Sequence, residues 1–270
     1  MEPGSPAGAG AEAPAFYSER KLSRKQLKKL AKAEREYEEE RRKELEAAQA
    51  VDTAQKRELA RIESILRTHA LRMEYVEPDG HCLFRALVRQ LRPLIQSGLF
   101  DTYFPAADTE TRSALLTWST IPDEMEAVWL LRKTLASFIR RRGTEFFPFI
   151  VGELDPQGTL LDASDDPAER VAQYCARLED GTLWGGQPEL QAVALALRCR
   201  VFVFADPEIL PNGMLVMGAD DASTDTGAES VTALRVSFHK QFFSLGEHYH
   251  AVVPADDSRG DARDPRISAS

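Results

Sequence analysis

The chain has 270 residues, 43% of them hydrophobic, and a formal net charge of −9. That is enough apolar material for one sizeable domain plus an extension, or for two small domains. The acidic balance argues against a chain-wide nucleic-acid binder, which needs excess Lys and Arg on its binding face, although a local basic face remains compatible with it. No run approaches the roughly 18 uninterrupted apolar residues of a membrane span. The opening Met-Glu-Pro-Gly-Ser-Pro lacks the basic-then-apolar pattern of a secretory signal. Cys82, Cys175 and Cys199 have no paired spacing, so neither a disulfide framework nor a zinc site is indicated. These features predict a soluble, monomeric protein of a reducing compartment, the cytoplasm with the nucleus as a second location, without cofactor, metal or membrane partner.

In chain order, residues 1–15 are Gly, Ala, Pro and Glu with almost nothing to bury, and are expected to be disordered. Residues 16–61 are rich in Lys, Arg, Glu, Ala and Leu, all good helix formers, and Ser23 with Gln26 suits a capping box. Leu22, Leu27, Leu30 and Tyr37 are too sparse for a sustained heptad seam. Lys21 to Arg35 is mainly basic and Glu36 to Glu46 mainly acidic. Two readings stand: a solvated charged helix, or an arm that docks RNA, a ribosome or a protein partner, or serves as a localisation signal.

A globular domain is expected from Ile62 to Pro254. Helical patterns cover Cys82 to Leu94, Met125 to Arg142, Pro167 to Leu178 and Pro188 to Leu197. Asp165 or Asp166 before Pro167 suits a helix start. β-Rich runs are Arg200–Ala205, Val231–Phe238 and Tyr249–Val253. Helices precede the clearest strands, which predicts an α+β fold, a small mixed sheet with helices packed on it. Asp206–Ser230 reads as a long surface loop around a short Met-Leu-Val-Met piece, and residues 255–270 as a disordered tail.

The chemistry concentrates in Asp79-Gly80-His81-Cys82-Leu83-Phe84-Arg85-Ala86-Leu87. Pro78, Asp79 and Gly80 make a turn, and Leu83, Ala86, Leu87, Leu91 and Leu94 then fall on one helical face. Cys82 therefore sits in the first turn of an anchored helix, where unpaired N–H groups and the macrodipole favour the thiolate, the reactive form. Gly80 would let nearby N–H groups converge as an oxyanion hole. A buried cysteine acting as a small hydrophobe fits the same segment. His81 flanks the nucleophile, and its side chain is directed elsewhere.

Far along the chain, Gly246-Glu247-His248-Tyr249-His250-Ala251 is a Gly-led turn running into a strand. It offers His248 as a base, and a catalytic cysteine needs such a histidine close in space rather than in sequence. His250 shares the strand face of His248 and is a candidate orienter; Asp79 and Glu247 are the nearby acids. Cys175 and Cys199 read as buried, and His69 and His239 as surface or structural residues.

Asp79–Ala86, Leu183-Trp184-Gly185-Gly186-Gln187-Pro188-Glu189-Leu190 and Leu245–Tyr249, in that order, resemble OTU-domain cysteine proteases. Among these they look most like the OTU-domain-containing protein 6 group, which also carries a charged helical segment before the domain. The resemblance implies a papain-like fold and a metal-free deubiquitinase acting on ubiquitin or polyubiquitin. Cys82 would attack the C-terminal glycine carbonyl, His248 would take the thiol proton, and Asp79 would match the active-site acid. Gly80, His81, Trp184, Gly185 and Gly186 would then line the binding groove, where two glycines make a side-chain-free wall for an extended tail. Trp184 also reads as an anchor for the helix from Pro188. Two features depart from the family: His250 stands where Asn or Asp is frequent, and Gly98–Glu126 is long, enough to cover the site or shape chain choice. A weak or inactive ubiquitin-binding adaptor and a hydrolase for another ubiquitin-like modifier are the alternatives.

Overall fold

A five-stranded mixed sheet organises the chain, in the order β1-β5-β4-β2-β3. Its strands are β1 (Leu71–Glu74), β2 (Arg200–Phe204), β3 (Met214–Met217), β4 (Ala233–His239) and β5 (His248–Pro254). β2 and β4 run parallel and every other pair is antiparallel. The computed structural model describes residues 24–150, 166–218, 233–240 and 246–255. The expected disorder at 1–15, the Ser23–Gln26 cap and the tail from 256 lie outside the described residues or their side chains.

The helices are α1 (Arg24–Thr68), α2 (Cys82–Gln96), α3 (Phe100–Tyr103), α4 (Thr109–Leu116), α5 (Glu124–Arg141), α6 (Gly143–Ile150), α7 (Pro167–Asp180) and α8 (Gln187–Leu197). The chain divides into two units, residues 1–50 and 51–270. The first contains the helical stretch from Arg24, with exposed i,i+4 pairs Lys32–Glu36 and Lys43–Glu39. Such pairs contribute a few tenths of a kcal/mol each, about 0.2–0.5. No helix among the described residues is long and apolar enough to cross a membrane.

In the second unit both faces of the sheet are covered. β2 reads Arg-Val-Phe-Val-Phe, and alternation sends Val201 and Val203 to one face and Phe202 and Phe204 to the other. The Val face shares one core with α2 (Leu83, Leu87, Leu91), which packs on β4 and β5, and with α8, which packs on β2; α5 (Val128, Leu131, Leu135) packs on α2. The Phe face meets Ile62 and Leu66 of α1, with Leu71 and Val252. A strand buried on both sides is a continuous apolar run, which is why β2 stands out in the sequence.

The four predicted helices and three predicted strands are present, with ends moved by one or two residues where described. Asp166 caps α7 by accepting from the Ala168 N–H. Asp206–Ser230 is not one surface loop: Met214–Met217 is edge strand β3, antiparallel to β2. Asp206 is buried, where its carboxylate accepts from Arg61 Nη1 and from the Glu208 N–H. Gly98–Glu126 folds into α3, α4 and a 3-10 turn (Thr117–Thr120), and puts Phe100, Phe104, Leu115 and Trp118 into the core.

Candidate active site

α2 begins at Cys82 because its apolar stripe seals against the sheet, and Arg85 N–H closes the first turn on the His81 carbonyl (2.9 Å). β5 begins at His248, two residues after Gly246, which takes a left-handed φ of 83°. α2 packs against β5, and the Tyr249 and Leu83 N–H groups lie where they favour the charged form of the Cys82 thiol. The helix start and the strand start therefore meet at the thiol.

His248 is 2% exposed. Its Nε2 lies 3.1 Å from the Val76 carbonyl and 3.2 Å from His250 Nδ1, and Val76 N–H donates to His250 Nδ1 (3.0 Å). A ring nitrogen that accepts from N–H carries no hydrogen, and one facing a carbonyl must carry one. This network makes His250 a Nδ1 acceptor and His248 a Nε2–H donor, so the basic lone pair of His248 is on Nδ1. The rings of His248 and His250 meet edge to face, 4.4 Å between centroids. His239, expected at the surface or in a structural role, is 1% exposed. It pairs with His248 across β4–β5, while Ser237 pairs with His250. Its Nε2 is 3.0 Å from Ser237 Oγ and its ring is 5.0 Å from that of His250. Strand alternation puts all four side chains on one face, a feature of register that sequence position alone did not announce.

Burial decides the electrostatics. The Cys82 thiol is pushed up to about 11 by desolvation, which the Tyr249 and Leu83 N–H groups only partly offset and the nearby Asp79 charge reinforces. The expected low-pKa thiolate is therefore corrected: at neutral pH the resting sulfur is a thiol. Desolvation also lowers His248 to about 4, against the opposing pull of the Val76 carbonyl and of Asp79. The resting pair is neutral on both sides.

Asp79 is occupied in the loop. Its Oδ1 accepts from His81 N–H (2.8 Å) and its Oδ2 from Arg85 Nε (3.0 Å), while its carbonyl accepts from Cys82 N–H (3.3 Å). Two N–H groups expected to open as an oxyanion hole thus turn toward Asp79. Arg85 and Arg89 share Glu124, and Arg89 also reaches Glu77.

The turn Trp184-Gly185-Gly186 packs beside the cysteine loop and the first turn of α2. Trp184 is 44% exposed, and a Cβ on Gly80 would stand 3.1 Å from its Nε1. A Cβ on Gly185 would come within 2.7 Å of Phe84 and 2.9 Å of Leu83, so only glycine lets this turn lie against α2. Gly186 N–H donates to the buried Glu189 carboxylate (2.7 Å), which also accepts from Tyr174 OH and starts α8. Trp184 is thus an exposed indole at the turn that leads into α8.

Sequence reasoning missed Arg132. It is fully buried on α5, and its guanidinium lies over the Phe84 ring, 4.1 Å from the centroid. The signal was available: Arg132 falls in register with Val128, Leu135 and Ile139 on the apolar stripe, and a cation on a core stripe needs an explanation.

A cysteine that opens a helix and a histidine that opens a neighbouring strand are the two groups that a cysteine-hydrolase site requires. The sequence model of the OTU-like cysteine protease family matches residues 111–249, just over half of the chain, and the chain belongs to that family. The matched span holds Trp184–Gly186 and His248 and begins beyond Cys82. The deubiquitinase OTUD6B of Xenopus tropicalis is 26% identical over 92% of this chain and 68% of its own length. The human OTUD6B is 24% identical over 86% of this chain and 64% of its own. The chain therefore spans about two thirds of these curated relatives, which are of the group singled out by the motifs. The OTU domain of OTUD1 is a solved structure of 16% identity, covered to 99% by 76% of this chain with a TM-score of 0.43.

Proposed function

We propose that this chain is a deubiquitinase that hydrolyses isopeptide bonds at the C-terminal glycine of ubiquitin. The observation that carries the reading is the meeting of Cys82 with the start of β5, beside a histidine whose Nε2–H is held by Val76 and whose basic nitrogen is Nδ1. Membership of the OTU family and the resemblance to the two deubiquitinases supply the substrate class.

The neutral resting pair sets the mechanism. Cys82 Sγ attacks the glycine carbonyl carbon as its proton passes to His248 Nδ1, so charge separates only with substrate in place. The imidazolium then protonates the departing lysine amine, leaving a thioester. Water, giving its proton to the same nitrogen, attacks that thioester and releases the carboxylate and the thiol. His250 orients the ring through its Nδ1, the part an acid or amide would otherwise take. Asp79 holds the cysteine loop, and its charge favours the imidazolium. The oxyanion requires the Cys82 N–H to turn from the Asp79 carbonyl toward substrate, while the His81 N–H stays on Asp79 Oδ1.

The raised thiol and the lowered His248 favour a second reading, a ubiquitin-binding adaptor without turnover. Ubiquitin carrying a C-terminal electrophile separates the two. Covalent labelling of the folded protein that is lost in Cys82→Ala is the expected result. Binding of ubiquitin without labelling would overturn the enzymatic reading in favour of the adaptor.

A further inference from the structure

Among the described residues no carboxylate accepts a hydrogen bond from Arg132, which is unusual for a cation buried in a core. Its Nη2 donates to the Gly80 carbonyl (2.7 Å) and its Nε to His81 Nδ1 (3.0 Å), both in the cysteine loop. Its Nη1 donates to the Leu183 carbonyl (2.9 Å), one residue before Trp184, and to the Leu178 carbonyl (3.1 Å) in the last turn of α7. One planar group thus fastens the nucleophile loop to the opposite wall of the groove. A rigid fork is the side chain suited to four acceptors spread over three segments, and a single ammonium point is not.

The bond to Gly80 has a specific geometric result. In a planar trans peptide the C=O and the following N–H point in opposite directions. Holding the Gly80 carbonyl on Arg132 therefore aims the His81 N–H away from α5, and there it meets Asp79 Oδ1 at 2.8 Å. The Gly80–His81 peptide is gripped at both ends. The Phe84 ring under the guanidinium and the edge-on contact of His81 with Trp129 (5.0 Å) keep both partners in place.

We propose that Arg132 is a positioning residue for catalysis. By gripping the Gly80 carbonyl, His81 Nδ1 and the Leu183 carbonyl together, it sets the orientation of the loop peptides beside Cys82 and their spacing from the Trp184 turn. The proposal rests on the deubiquitinase reading. Arg132 touches no reacting atom; it acts through the backbone that must stabilise the developing oxyanion.

The test compares two reactions of Cys82 in the full chain: cleavage of a ubiquitin C-terminal coumarin amide, and alkylation by iodoacetamide. Alkylation displaces iodide at a saturated carbon and builds no oxyanion, so loop orientation matters to the first reaction alone. In Arg132→Lys the expected result is a kcat at least tenfold lower, a KM that rises by less than kcat falls, and Cys82 alkylation within threefold of wild type. Arg132→Gln, which leaves no charge to bury, is expected to behave likewise and serves if the lysine variant does not fold. A kcat within twofold of wild type in a folded variant overturns the proposal. So does an equal fall in both reactions, which marks a change at the thiol itself, and so does failure of both variants to fold, which makes Arg132 a structural residue only. Wild-type protein that cleaves no ubiquitin amide defeats the deubiquitinase reading, an outcome distinct from the others because it is read before any variant.

Discussion

Acidification is the perturbation that the buried histidines make most informative. Desolvation lowers His239 to about 3 and His248 to about 4, from 6.5 in an exposed chain, and His250 falls well below its ordinary value for the same reason. With pKa depressed on folding, the unfolded chain binds more protons between the two values, so stability is fully present above pH 6.5 and is lost as pH falls toward 4. At pH 5 an exposed histidine is almost fully protonated while His239 and His248 remain almost wholly neutral. Each then costs on the order of 2 kcal/mol relative to pH 7, and the two together about 4. His250 and His81 add in the same direction. Against a typical domain stability of about 5–15 kcal/mol this is a large share. Urea unfolding followed by circular dichroism near pH 7, 6 and 5 measures it directly. His239→Gln, which removes one titrating ring, is expected to shallow the profile by about a third of its slope if the three strand histidines weigh equally. A stability flat to within about 1 kcal/mol across this range, or an unchanged slope in His239→Gln, would refute the linkage argument.

Further outcomes follow from the site. Gly185→Ala forces a Cβ to within 2.7 Å of Phe84; overpacking of about 1–3 kcal/mol translates into a thermal midpoint lowered by roughly 2–12 °C, read by calorimetry. Trp184→Ala removes an indole that is 44% exposed, so the midpoint should change by less than about 3 °C while KM for a ubiquitin substrate rises severalfold; an unchanged KM would remove Trp184 from the groove. His250→Ala leaves the Val76 N–H and His248 Nε2 without their shared acceptor. Turnover should fall by about 10–100-fold, with partial recovery in His250→Asn, and full activity in the alanine variant would show that His248 needs no such orienter.

How much was legible depended on whether a feature was local. The nucleophile helix carried its stripe, its turn and its cysteine within one short stretch, and β2 announced itself as an apolar run. β1 did not, because Leu-Arg-Met-Glu buries one residue fully and pairs on one side only. β3 is likewise a short edge strand, half exposed and bounded by turn residues. α6 carries Pro148, which reads as a break. The pairing of His248 with His250 followed from strand alternation, while His239 required knowing which residue of β4 faces which of β5. The thiol pKa was misjudged because the helix terminus is visible in the sequence and the burial that outweighs it is not.

The stretch from Leu71 to Cys82 joins these parts in an instructive order. Its first four residues hydrogen-bond along β5, Val76 then grips both histidines of β5, and six residues later the chain delivers the cysteine. His248 and Cys82, the proposed base and nucleophile, are thus spaced by a ruler of fixed length, zeroed on the strand that carries the histidine. An inserted residue between Val76 and Cys82 would leave the β1–β5 ladder in place and shift the loop that Asp79, Arg85 and Arg132 hold before the thiol. The length of this interval therefore couples the strand that begins at His248 to the helix that begins at Cys82.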